Sequence, residues 1–353
     1  MSQITFNVAL NSLSFGQTSI ALLREAYKAS LDCCIFPIGQ QVDISAQLQD
    51  EEFNKWLQHT IQSSPKKHSR DNRTIKLWHV NGSLESYGKE QELITFLETD
   101  QITDYELNTL KNQKTVWVTS KYTKQVMEDA GLNNVKYLQL GFDTHNFKKL
   151  NKRYYDSGIT VIGLGGKFED KRKAHGQTIR ALLDNYGNNS KFMLHFAVTN
   201  PFFKPEDNEK VVQQLTQGKK YTNVVWIPLM ATNQQYNDFQ NSCDIWCATS
   251  NAEGYDLPAY QALSLGKKVV AVNAHVYPDY LNHENSFLFE ASGKQTCYDG
   301  VFFHNGHPFN QGNFFSWKTE DFINKLNEAI SSTNKPQITP RTYKEVFNEL
   351  IAS

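Results

Sequence analysis

From Asn251 to Gly266 the chain reads Asn-Ala-Glu-Gly-Tyr-Asp-Leu-Pro-Ala-Tyr-Gln-Ala-Leu-Ser-Leu-Gly. Glu253 and Gly254 fall in a loop, Pro258 opens a short helix and Gly266 closes it. Proline suits the start of a helix because the N–H it lacks would have had no partner there, and glycine suits the residue just past the end. The first-turn N–H groups stand at the positive end of the helix dipole, so the helix start at Leu257 is arranged to meet an anion. Glu253 beside it could accept hydrogen bonds from sugar hydroxyls. An anion site next to a hydroxyl acceptor is what a nucleotide-sugar needs. An ordinary α/β connection would use the same proline and glycine, so the rest of the chain has to decide.

A second stretch points the same way. Gly163-Leu164-Gly165-Gly166-Lys167-Phe168-Glu169-Asp170-Lys171-Arg172-Lys173 directly follows an apolar strand. Its glycines would let backbone approach a ligand, and Lys167, Arg172 and Lys173 could neutralise a diphosphate. A dinucleotide-binding loop would have its third glycine where Phe168 stands, so that reading is rejected. Lys171 reads as a solvated surface charge.

These stretches need an alternating scaffold to hold them. Apolar runs at 4–10, 33–38, 75–80, 115–119 and 135–139 read as strands. Helical segments at 17–29, 49–62, 90–97, 104–111 and 121–130 lie among them. Ser63–Arg73 reads as a polar, basic and mobile turn. A charged linker follows near residue 150, and a fresh alternation begins. Its strands are 159–162, 192–198, 224–227, 245–248 and 268–272, with helices at 178–186, 206–216 and 233–241 and the opening motif. Residues 294–316 have no period and read as an irregular excursion, before helices at 319–331 and 342–351. Strands alternating with helices call for parallel sheets with right-handed crossovers. The predicted fold class is therefore α/β, with two Rossmann-like domains over 1–150 and 151–335 and a C-terminal helix in 336–353. Open α/β sheets bind ligands outside the carboxyl ends of their strands, which directs attention to the loops 11–16, 79–83, 141–147, 163–176, 228–232 and 249–257.

Several stretches in serial order resemble the GT-B glycosyltransferases, in particular the retaining enzymes of family 4. Val118-Thr119-Ser120-Lys121-Tyr122-Thr123-Lys124 resembles the family's serine-bearing strand end. Gly141-Phe142-Asp143-Thr144-His145-Asn146-Phe147 resembles its inter-domain signature. Gly166-Lys167 with Arg172-Lys173 resembles its diphosphate-holding pair, and Glu253 begins its E-x7-E motif. The matches cover residues 115 to 290; residues 1–110 match in general shape alone.

The resemblance implies two domains facing an inter-domain cleft, with the acceptor on the first and a nucleotide-sugar donor on the second. It implies a metal-independent hexosyl- or pentosyltransferase that retains configuration, with a UDP- or GDP-linked donor and no further cofactor. Glu253 would contact the transferred sugar. Lys167, Arg172, Lys173, Gly254 and Leu257 would hold the donor, and Gln261 stands where the family has a second glutamate on the ribose. Glutamine still accepts and donates hydrogen bonds there. Lysine at 167 in place of arginine offers a point charge instead of a fork. The family also places a histidine near the reacting sugar, and His79, at the end of a first-half strand, is the candidate; a core histidine satisfied by backbone is the other reading. Gly16 either admits a diphosphate to the backbone or is a turn glycine. Glu98 and Asp100 form a further acidic pair, at a helix boundary or on the acceptor side.

Composition narrows the class. The 353 residues carry a net charge of −1 and are 39% hydrophobic, enough for two cored domains without a general polyanion-binding surface. The start of the chain lacks the pattern of a secretory leader, and no apolar run approaches a membrane span, so a cytoplasmic protein is expected. Five cysteines without framework spacing read as reduced thiols, and no metal-ligand cluster is visible. The acceptor is expected to be a glycan or small hydroxylated molecule. A phage-type enzyme acting on hydroxymethylated DNA bases is the alternative, with the basic stretch 66–73 as a phosphate contact. A non-catalytic nucleotide-sugar or glycan binder derived from a transferase is a third reading, favoured by Gln261.

Overall fold

The computed structural model describes residues 3–39, 42–152, 154–304 and 306–352; Arg153 of the charged linker lies outside them. The chain forms two units, each built on its own parallel sheet. The first comprises residues up to Asn146, Val301–Gly312 and the chain from Pro340 onward; the second comprises Phe147–Gly300 and Asn313–Thr339. A linear division at residues 150 and 335 leaves out these two returns.

In the first unit the strands are β1 (Ile4–Ala9), β2 (Cys33–Ile38), β3 (Arg73–Leu77), β4 (Gln91–Thr95), β5 (Thr115–Val118) and β6 (Val135–Tyr137). The helices are α1 (Ser14–Lys28), α2 (Glu51–Lys67), α3 (Asp104–Lys111) and α4 (Lys121–Asp129). The sheet order is β2-β1-β3-β4-β5-β6, all parallel. All six β1 residues are buried, as expected for a parallel strand covered on both faces.

Two expectations fail in this unit. The predicted helix at 90–97 is the central strand β4. Its polar residues are buried because distant groups satisfy them: Glu92 takes Arg73 Nε at 2.6 Å and Trp117 Nε1 at 2.8 Å, and Gln91 donates to Ser83 O at 2.9 Å. The predicted mobile turn at 63–73 is largely built structure. Helix α2 continues through Pro65 to Lys67, and Ser64 accepts the Ile35 N–H at 2.7 Å.

The second unit has β7 (Thr160–Gly165), β8 (Phe192–Ala197), β9 (Val224–Trp226), β10 (Ile245–Ala248), β11 (Lys268–Asn273) and β12 (Phe287–Glu290). Its helices are α5 (His175–Tyr186), α6 (Pro205–Thr216), α7 (Asn233–Ser242), α8 (Leu257–Ser264) and α9 (Thr319–Ser331), with a 3-10 turn at Tyr277–Asp279. The order β12-β11-β10-β7-β8-β9 is again fully parallel. The excursion at 294–316 contains an antiparallel pair, β13 (Gly293–Thr296) and β14 (Asn313–Ser316). The segment between them packs on the first unit: the Thr103 hydroxyl donates to Pro308 O at 2.6 Å and the Asn310 N–H to Glu106 Oε1 at 2.9 Å.

The last helix, α10 (Tyr343–Ala352), also returns to the first unit, where Tyr343, Val346, Phe347 and Leu350 join the core around β1 and α1. Arg73 donates to Leu350 O at 2.7 Å and Ile351 O at 3.1 Å. The predicted inter-domain signature forms the seam for this return. A Cβ at Gly141 would lie 2.5 Å from the Thr342 backbone, and the Phe142 N–H donates to Arg341 O at 2.7 Å. Asp143 is held by buried Arg24 at 3.3 Å.

Candidate functional site

Each sheet has one place where successive crossovers leave in opposite directions, and a crevice opens there at the strand ends. In the second unit it lies between β7 and β10, hydrogen-bonded neighbours from which the chain proceeds to β8 on one side and β11 on the other. The loop after β7 carries Lys167, Arg172 and Lys173; the loop after β10 carries Glu253. The two predicted clusters thus leave adjacent strands at the position where this sheet type binds ligands.

They meet there. Glu253 Oε1 lies 2.5 Å from Lys173 Nζ and Oε2 lies 3.1 Å from Arg172 Nη1, while the Ser250 hydroxyl donates to Oε1 at 2.9 Å. Arg172 also reaches Glu169 at 2.7 Å and the Ala252 carbonyl at 3.2 Å, and Lys167 lies 2.5 Å from Glu169. Asn251 ties the loops together: its backbone N–H donates to Arg172 O at 2.7 Å and its side-chain amide to Lys171 O at 2.8 Å. Gly166 adopts φ +132°, a conformation open to glycine, and sits 4.0 Å from Lys173 Nζ at its would-be Cβ.

Charge pairing governs the protonation states. Burial pushes the Glu253 carboxyl up, but Lys173 and then Arg172 outweigh it and hold it at about 2. Burial likewise opposes the ionisation of Glu169, and Arg172 and Lys173 bring it to about 2. Burial would lower Lys173, but Glu253 overrides it and the ammonium is held above its ordinary range. His175, desolvated and next to Lys173, falls to about 3.

The start of α8 differs from the expectation of free first-turn donors. Asp256, in the left-handed region at φ +61°, caps the helix by accepting the Ala259 N–H at 3.3 Å, and Pro258 has no N–H. The chain's own carboxylate therefore occupies much of that positive end. Burial, then the charge of Glu253, raises Asp256 to about 6, and the Tyr277 hydroxyl donates to it at 2.6 Å. Asp256, Glu169, Ser250 and Tyr277 are functional candidates the sequence reading missed. Asp256 was legible as a capping residue ahead of Leu257-Pro258; the others become neighbours through the sheet. Gly254 sits buried between Glu253 and Tyr255, and Leu257 begins α8. Gln261 lies one turn on, partly exposed, and its side chain bonds no described residue.

Two glycines credited with ligand approach serve packing instead. A Cβ at Gly163 would lie 2.3 Å from Cys243 Sγ, and one at Gly165 would lie 2.8 Å from Trp246. All five cysteines are buried and free, and burial pushes the Cys243 thiol to about 12.

In the first unit the corresponding switch lies between β1 and β3. Gly16, in the first turn of α1 after β1, and His79, two residues after β3, both fall there, and Phe15 packs tilted against His79 with ring centroids 4.4 Å apart. His79 is exposed by surface area, yet its ring lies against Phe15 and Trp78, and desolvation there lowers its pKa. A Cβ at Gly16 would meet the Asn11 backbone at 2.1 Å, so tight packing by itself requires glycine. Asp100 belongs to the coil after β4, where its carboxyl lies 2.7 Å from a would-be Cβ on Gly312.

Several groups of the basic stretch 66–73 are paired within the fold, while Lys66 and Arg70 are exposed. Arg73 is engaged by Glu92, Asp71 by Lys89 at 2.6 Å, Lys67 by Asp32 at 3.6 Å, and His68 is bonded to Thr5 and Tyr87 at 3.0 Å. Among the described residues no group of three or more His, Cys, Asp or Glu could hold a metal ion, and no helix is long and apolar enough to cross a membrane.

No protein-family model matches this chain, and no curated protein matches it in sequence. Solved structures do match its fold. Alr3699/HepE of Anabaena, solved with UDP and glucose and also with UDP-glucose, is 16% identical in the first of these complexes, with a TM-score of 0.62 over 100% of this chain and 95% of that one. Sucrose-phosphate synthase of Thermosynechococcus elongatus is 11% identical, with a TM-score of 0.66 over 100% and 94%. The lipopolysaccharide outer core galactosyltransferase WaaB is 15% identical, with a TM-score of 0.62 over 100% and 99%. With its two six-stranded parallel sheets, the chain has the α/β fold of the GT-B glycosyltransferases.

Proposed function

We propose that the protein is a retaining, metal-independent glycosyltransferase that moves a hexosyl or pentosyl group from a nucleotide-sugar, UDP- or GDP-linked, to a hydroxyl of a glycan or small molecule. One observation carries the reading: Glu253 and the cations Lys167, Arg172 and Lys173 converge at the switch point of the second sheet. One of the fold's neighbours, Alr3699/HepE, was solved with UDP and with UDP-glucose, which favours UDP.

In the proposed reaction the anomeric C–O bond breaks and its electron pair leaves with the diphosphate. Negative charge grows on that leaving group, where Lys167, Arg172 and Lys173 stabilise it. Positive charge grows on the sugar, which Glu253 contacts as a carboxylate, the form its cation partners enforce. The acceptor oxygen bonds the anomeric carbon on the face the diphosphate leaves, and its proton passes to the departing phosphate. Gly254, Leu257 and Gln261 are assigned to the donor. The first unit is assigned the acceptor side, with His79 as the candidate histidine near the reacting sugar and Gly16 as the candidate for backbone approach to the donor diphosphate.

The test is a thermal-shift screen against UDP-, GDP-, ADP-, CMP- and dTDP-sugars. A ligand at about a hundred times its Kd adds roughly 2.7 kcal/mol. One sugar nucleotide should stabilise the wild type and leave the Lys167→Ala/Lys173→Ala variant unmoved. Equal shifts in both proteins, or none in either, would remove the donor-site assignment. Donor binding without turnover on any hydroxyl acceptor would favour the non-catalytic binder.

A further inference from the structure

The charged groups of the second-sheet site nearly cancel before any ligand enters. Lys167 and Arg172 share Glu169, and Arg172 and Lys173 share Glu253. Asp256 adds a third carboxyl, three residues beyond Glu253 and within the field of both Glu253 and Lys173. Over these named groups, three cations meet three carboxyls. A diphosphate brings two further negative charges into a partly desolvated cluster, where charge imbalance is costly.

Asp256 is the carboxyl placed to relieve that imbalance. Glu253 and Glu169 are each bonded to two cations, whereas the Asp256 oxygens take two uncharged donors, the Ala259 N–H and the Tyr277 hydroxyl. We propose that Asp256 takes up a proton from solvent as the diphosphate binds, so that this residue sets the pH range over which the donor is held. The inference rests on the donor-site reading above.

The groups facing Asp256 leave it as the titrating member. Glu253 comes from the loop after β10, Lys173 from the loop before α5, Tyr236 from α7, and Tyr277 and Tyr280 from the turn after β11. The three tyrosines are raised well above their ordinary value and stay neutral. Glu253 is ionised and Lys173 protonated throughout the neutral range. The nearby His175 and His275 titrate at about 3 and about 4, below the window near 6 in which Asp256 gains its proton.

The sign follows from linkage. Added negative charge raises the Asp256 pKa further, so affinity grows as pH falls from the bound value towards the free value of about 6. One proton limits the slope to about tenfold in Kd per pH unit.

The experiment is calorimetric titration with UDP-glucose between pH 5.5 and 8.5, in two buffers of different ionisation enthalpy. Both phosphates of this probe are esterified, so it contributes no proton of its own in that range. The wild type should take up part of a proton near neutrality and bind more tightly at pH 6 than at pH 8. Asp256→Asn, which keeps the cap and tolerates the left-handed backbone, should lose the pH slope and bind about tenfold tighter than wild type at pH 8. Wild-type binding without proton uptake, or an undiminished slope in Asp256→Asn, overturns the role of Asp256 and leaves the donor site standing. If wild type and variant both fail to bind UDP-glucose at every pH, and the other sugar nucleotides fail likewise, the donor-site reading falls and this inference with it. Should Asp256→Asn not fold, the proton count on the wild type decides alone.

Discussion

Glu253 and Lys173, 80 residues apart in the chain, meet at 2.5 Å with both side chains at least 85% buried. Two carried-over roles, one for the transferred sugar and one for the diphosphate, therefore begin as a mutual ion pair. Breaking a buried pair by neutralising one partner leaves the other charge uncompensated, at a cost of about 3 kcal/mol. Glu253→Gln should lower the midpoint of chemical denaturation accordingly and reduce turnover by on the order of 100-fold. Denaturant melts and single-turnover assays check the two effects separately; unchanged turnover would remove Glu253 from the chemistry.

Stability should fall as the solution is acidified below neutrality. His175, His195 and His275 are buried and titrate at about 3, 4 and 4 in the fold, against an ordinary value of 6.5. Depressed values mean that the unfolded chain binds protons first. Their contribution is complete above 6.5 and is lost as pH falls towards the folded values, at about 1.4 kcal/mol per unit of depression. Glu169 and Glu253, depressed to about 2, add a loss below their ordinary 4.5. Asp256, raised to about 6, acts in the opposite sense: its stabilising contribution is present below 3.8 and lost as pH rises through 6. Urea melts from pH 7.5 to 4 should show the histidine loss, and a flat profile would refute it.

Gly163→Ala should cost about 1–3 kcal/mol by overpacking against Cys243. The companion change Cys243→Ala removes the sulfur 2.3 Å from the added methyl and should restore much of the loss. A double-mutant cycle measures that coupling. Donor affinity lost without stability would return this glycine to the ligand.

Phe347→Ala should destabilise the first unit by about 3–5 kcal/mol, since its ring is 5% exposed in a core shared with α1. In calorimetry the loss should appear in the unfolding of the first unit, although residue 347 follows the whole second unit in sequence. A loss confined to the second unit would contradict the placement of α10.

Local patterning carried much of the fold. The apolar runs of β1, β5, β7 and β11 are read directly because both faces of a parallel strand are buried and each residue type reports it. Gln91 and Glu92 broke that rule in β4. Their partners Ser83, Gln113, Arg73 and Trp117 are brought to them by the sheet, so a segment that opens on two polar, helix-favouring residues became a central strand. The returns of 301–312 and α10 were equally hidden, because nothing in Glu106 or Gly141 announces which later segment will dock there.

The chain by itself determined which residue types stand after which strands: Lys167, Arg172 and Lys173 after one apolar run, Glu253 and a proline-started helix after another. That much is local, since alternation and capping act over a few residues. Tertiary structure alone decided that β7 and β10 are neighbours at a switch point, which joins those loops. It also decided that Asp256 lies in the field of Glu253 and Lys173 and that Glu169 shares the cations. Charge pairing acts through space, with strength set by burial and distance, and neither quantity exists until the sheet has formed.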